Sequence, residues 1–123
     1  MKQSILGTEY EIISQTENEN PKLVGNDGLA ELYEHKLIID FTTGDPKETW
    51  NNIDEYHKKV IRHEMIHAIF HECGLENYQQ DETLVDFLAH QYAKFEQLLN
   101  DKNISNILKE LKSDNDRNGV CTR

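Results

Sequence analysis

The chain reads as an α+β fold: a small antiparallel sheet in its N-terminal third, followed by helices. Three observations lead there. Residues 5–13 and 29–41 hold β-prone stretches separated by glycine- and asparagine-rich turn signals. Residues 47–73 contain no proline or glycine, and their apolar residues recur at helical spacing. Beyond Gly74, a second helical pattern opens near Asp81.

Each element has its own warrant. Residues 5–13 alternate well enough for one strand, and the Glu- and Asn-rich residues 14–20, followed by Pro21, form a polar excursion. Gly25-Asn26-Asp27-Gly28 is a strong turn signal. Residues 29–33 and 36–41 then read as two strands of a hairpin that turns at Glu34-His35 without a glycine. Leu37, Ile39 and Phe41 face one way, and Ile38 and Asp40 the other. Asp45 can cap the long helix, Pro46 suits its first position, and Glu48 favours its first turn. Ile53, Tyr56, Val60, Ile61, Met65, Ala68 and Ile69 give the helix an apolar face, and Gly74 is a natural residue to end it.

The polar face of that helix carries the chemistry. His63-Glu64-Met65-Ile66-His67 is an H-E-x-x-H run. Residues four apart on a helix project from nearly one face, roughly 6 Å apart along the axis. Two imidazoles so placed can hold one Zn²⁺ at about 2.0–2.1 Å each. Glu64 sits on the neighbouring stripe, within reach of a water on the ion without binding the ion, which is the position of a general base.

A third ligand is required. A downstream histidine in H-E-x-x-H-x-x-G-x-x-H is ruled out, because Phe70 and Cys73 stand where that pattern needs glycine and histidine. His71 lies about 12 Å along the axis from His63, too far to share the ion, and reads as a cleft or surface residue. Glu82, in the first turn of the helix over residues 81–92, is a carboxylate that can complete a His₂Glu site. Asp86 follows on the same face, placed to accept a hydrogen bond from the far nitrogen of a liganding imidazole. The alternative is that Glu82 only complements the helix N-terminus and Asp86 is a solvated face. His90 and Tyr78 lie close enough to be candidates for assisting a transition state, whereas His35 and His57 read as exposed and idle.

With Met65 through Phe70, Glu72-Cys73-Gly74-Leu75, and residues 81–89 in view, the chain resembles the small gluzincin-type metallopeptidases. The likeness is to the ImmA/IrrE-like and phage-associated zincin domains, over residues 28–91. The resemblance implies His63, His67 and Glu82 as zinc ligands, Glu64 as general base, and Asp86 as the residue orienting a liganding histidine. It also implies a minimal zincin fold, in which the sheet packs on the H-E-x-x-H helix and an unpaired strand edge receives an extended peptide. One of the two hairpin strands is that edge, and the sequence does not say which. The implied activity is hydrolysis of a peptide bond in one protein, such as a bacterial or phage regulator. The alternative is a zinc-binding interaction or regulatory module with little activity of its own.

Composition agrees. At 123 residues and 37% hydrophobic content there is material for one modest core, expected over residues 1–112. A net charge of −10 argues against nucleic acid as a partner and fits a peptide or protein substrate, with a preference for basic segments. No apolar run suits a signal or a membrane span, so a soluble, cytoplasmic protein is expected. Two cysteines are too few for a disulfide framework or a cysteine-rich zinc site. The helix begun at residue 81 should continue to a break near Asn100-Asp101. Ile104, Ile107, Leu108 and Leu111 then form a short amphipathic stripe that packs on its own domain or binds a partner. Residues 113–123 are polar and expected to be disordered.

Overall fold

The computed structural model describes residues 1–42 and 53–117. The helix-start signals at Asp45, Pro46 and Glu48, and residues 118–123 of the expected tail, lie outside the described residues. The fold is α+β, with four strands and four helices among the described residues. Contacts divide the chain into two compact units, Met1–His90 and Gln91–Arg123, a finer division than the single domain over residues 1–112.

The first unit opens with a hairpin, β1 (Lys2–Ile5) and β2 (Thr8–Ser14), where the sequence suggested one strand over residues 5–13. Leu6 and Gly7 both take positive φ, at 50° and 89°, and fold the chain back on itself. Two consecutive left-handed residues are the signature of the tightest hairpin turns. A single-turn helix (Pro21–Leu23), capped by the Asn20 side chain, follows and buries Leu23. Next come β3 (Gly28–Glu31), a second single turn (Leu32–Glu34) and β4 (Lys36–Ile39), with His35 exposed and left-handed at the corner.

The strand order is β1-β2-β4-β3, and β4 runs parallel to β2, so the sheet is mixed and not antiparallel throughout. Burial explains the order. Leu37, Ile38 and Ile39 are each at most 2% exposed, and a strand apolar on both faces belongs in the interior of a sheet. Gly-Leu-Ala-Glu of β3 has less to bury and takes the edge. Tyr10, Leu37 and Ile5 form the core with Ala68 of the long helix, and Met65, Ile12 and Ala30 pack around them.

That helix, α1 (Ile53–Glu72), ends as its glycine predicts. The Leu75 N–H donates to the Phe70 carbonyl at 2.8 Å and the Gly74 N–H to the His71 carbonyl at 3.0 Å, with Gly74 at φ 74°. This pair of bonds is a Schellman cap. It reverses the chain into the short α2 (Glu76–Gln79) and then into α3 (Glu82–Leu99). Asp81 caps α3 by accepting from the Leu84 N–H at 3.1 Å.

The second unit holds the later part of α3 and α4 (Asp101–Arg117). Asn100 breaks the helix and caps the next, its side chain accepting from the Asn103 N–H at 2.9 Å. Helix α4 runs on through Arg117, so the disordered tail expected from Ser113 is helical over its first residues. No glycine or proline occurs there until Gly119. The stripe Ile104, Ile107, Leu108 and Leu111 is exposed, 46–58% each, and not packed into a core. No helix among the described residues is long and apolar enough to cross a membrane.

Candidate metal centre

The ridge of α1 that carries His63 and His67 faces the first turns of α3 across an open cavity of about 580 Å³. The Schellman turn makes this possible by sending α3 back toward the helix it follows. The Nε2 atoms of His63 and His67 lie 3.3 Å apart. The Glu82 carboxylate straddles them, with Oε2 at 3.0 Å from His63 Nε2 and Oε1 at 3.0 Å from His67 Nε2. Among the described residues, His63, His67 and Glu82 form the one group whose ligand atoms gather closely enough to hold a metal ion.

The far nitrogens decide what the near ones can do. His67 Nδ1 faces the Gln79 backbone oxygen at 2.7 Å and its side-chain Oε1 at 2.9 Å. His63 Nδ1 faces Asp86 Oδ1 at 3.4 Å. Carbonyl and carboxylate oxygens only accept, so the two Gln79 oxygens favour a proton on His67 Nδ1, and Asp86 offers the same to His63. In that tautomer two Nε2 lone pairs and a carboxylate converge, a mutually repulsive set that a cation relieves; without a cation, Glu82 is itself an acceptor for an Nε2 proton. The spacing fits as well, since the corners of a tetrahedron with bonds of about 2.0–2.1 Å lie about 3.3 Å apart. Nitrogen and carboxylate donors in this number suit zinc, although the same set accepts other divalent transition metals.

Glu64 lies beside this cluster and is not part of it. It is 6% exposed, and its carboxyl is pushed up to about 8 by burial, then by the negative charges of Glu82 and Asp27. A cation held by the neighbouring ligands acts in the opposite direction and favours the ionised base. The floor beneath Glu64 is Gly28. A Cβ there would stand 2.9 Å from Glu64 Oε2 and 3.0 Å from both Glu64 Cγ and the Ile38 carbonyl. Tyr56 on α1 donates its hydroxyl proton to Asp27, tying the helix to the strand that supplies this floor.

The sites read from the sequence come together unevenly. His63, His67, Glu64, Glu82 and Asp86 all line the cavity. His71 is turned away and bonded to Glu76, with its ring edge-on to Tyr33. His90 and Tyr78 do not line the cavity, and Tyr78 is half exposed beside Phe70. His57 is half-buried against the Phe41 ring, where the sequence suggested it was exposed. Sequence reading missed Lys59, Gln79, Asp27 and Gly28. Lys59 had a signal, being one turn before His63 on the same ridge. Its ammonium contacts Asp86 Oδ1 at 2.9 Å and holds that carboxyl below its ordinary value. Gln79 carried no local signal, because only the turn at Gly74 brings it to His67. No protein-family model, curated protein or solved structure matches the chain.

Proposed function

We propose that the protein is a zinc-dependent metallopeptidase of the gluzincin type, a minimal zincin that hydrolyses a peptide bond in a specific protein. The observation that carries this reading is the convergence of two imidazole nitrogens and a carboxylate next to a buried glutamate. His63, His67 and Glu82 would hold the ion, with Asp86 and Gln79 fixing the imidazole tautomers. When bound, zinc supplies Lewis acidity and makes water a nucleophile near neutral pH. Glu64 takes a proton from the attacking water and passes it to the leaving amine. Its burial against Gly28 limits it to few orientations. An extended peptide is accommodated along β3, the edge strand, whose Gly28, Leu29 and Ala30 border the cavity. Asp27, Glu82 and Asp86 around the opening favour a substrate with basic residues nearby. By resemblance, a bacterial or phage regulator is the substrate class.

One observation favours the second reading, a zinc-binding regulatory module: neither His90 nor Tyr78 reaches the cavity to stabilise an oxyanion. Glu64→Gln separates the two. Purified parent and variant are incubated with host-cell extract, with and without chelator, and new peptide termini are read. The enzyme reading expects chelator-sensitive termini from the parent. It also expects a loss of about 10²–10⁴-fold in the variant, with zinc content unchanged. A parent that yields no termini, with a variant identical in every cellular assay, would establish the module instead. Elemental analysis of Glu82→Ala checks the ligand set, and undiminished zinc there refutes it.

A further inference from the structure

We propose that Glu76 and Gln79 are positioning residues for His67, and that the short helix α2 is the device that sets the metal-facing lone pair. The proposal rests on the metal-site reading above. A carboxamide has an oxygen and an NH₂ of nearly the same shape, so something must decide which of them His67 meets. Glu76 decides it. Its Oε2 accepts from Gln79 Nε2 at 3.1 Å, and a carboxylate can only accept. The NH₂ is thereby committed to Glu76, and Oε1 is left facing His67 Nδ1 at 2.9 Å. Glu76 is held in turn at its other oxygen by His71 Nδ1. The result is a chain that ends on Glu76, His67 donating to Gln79 and both Gln79 and His71 donating to Glu76, in which the bonds oppose a turn of the Gln79 amide. The Gln79 backbone oxygen, at 2.7 Å, acts in the same sense. The stretch after Gly74 is therefore more than a connection, since it presents two acceptors of one residue to one imidazole nitrogen.

Zinc affinity is measured at fixed pH by competition with a chromogenic chelator, and ¹⁵N shifts of the metal-free protein report the His67 tautomer. Gln79→Met should weaken zinc by about tenfold, the lower end for such partners because the backbone oxygen remains. Glu76→Gln should also weaken it although position 76 touches no ligand. A carboxamide there can accept as well as donate, so the Gln79 amide is free to turn, and the Nε2-protonated fraction of His67 should rise. The exchange Glu76→Gln with Gln79→Glu restores a donor–acceptor pair in reverse and should return affinity close to the parent. A merely structural role predicts no such rescue and no tautomer change. The proposal is overturned if both single variants bind zinc within about twofold of the parent while His67→Ala loses it. If His67→Ala and Glu82→Ala also bind as the parent does, the metal-site reading itself has failed.

Discussion

Replacing Gly28 with alanine tests how tightly Glu64, the proposed general base, is held. The new methyl would meet Glu64 at 2.9 and 3.0 Å and the Ile38 carbonyl at 3.0 Å, each well inside ordinary carbon contact. Ile38 belongs to an interior strand and cannot recede, so Glu64 must move. Overpacking of this kind costs about 1–3 kcal/mol, offset by roughly 0.5–1 kcal/mol gained when glycine leaves a strand. From the middle of both ranges the net loss is about 1 kcal/mol, and about 2.5 kcal/mol at most. At 4–8 °C per kcal/mol for a unit of this size, melting should fall by about 4–8 °C. The cause can be isolated with a cycle: in a Glu64→Ala background the same substitution should cost markedly less, because its main obstacle is gone. Zinc affinity should hold, since none of the three ligands is touched, while cleavage falls with the displaced carboxylate. If Gly28→Ala melts like the parent and the cycle shows no coupling, the floor does not constrain Glu64.

Two further outcomes follow from the same contacts. Zinc at a hundred times its dissociation constant adds about 2.7 kcal/mol, so saturated protein should melt about 10–20 °C above chelator-treated protein, and coincident curves would remove the metal from the folding balance. Glu72 accepts hydrogen bonds from Thr8 and Tyr10, which hold its carboxyl below the ordinary 4.5. It therefore adds stability above that pH and loses it as pH falls through the lowered folded value. In metal-free protein, Glu72→Gln should flatten the acid side of the melting profile, and an unchanged slope would assign acid sensitivity to other groups.

What was legible in the sequence was local. His63, Glu64 and His67 are fixed by helical geometry alone, Gly74 by its left-handed cap, and the Asn100 break by the side chain that caps the next helix. Glu82 and Asp86 were readable because their spacing matches that of the histidines they face. The hairpin at Leu6-Gly7 was missed because alternation continues across a turn with no polar break. The parallel pairing of β2 with β4 depends on which strand wins the interior, a competition between distant segments. Gln79 and Gly28 gained their roles from approaches that no spacing rule encodes.

The Schellman turn after α1 also bears on the order of assembly. Every proposed metal donor falls between His63 and Glu82, so the ion can be captured once α1, its cap and the start of α3 have formed, before any strand is paired. The floor that confines Glu64 comes instead from Gly28, far away in the chain, and Asp27 beside it adds to the charge that Glu82 already supplies. On the proposed function, metal loading is thus a short-range event and catalytic readiness a long-range one. A chain still emerging or partly unfolded would then carry its ion while Glu64 remains in water, and hydrolysis would wait until the sheet closes beneath it.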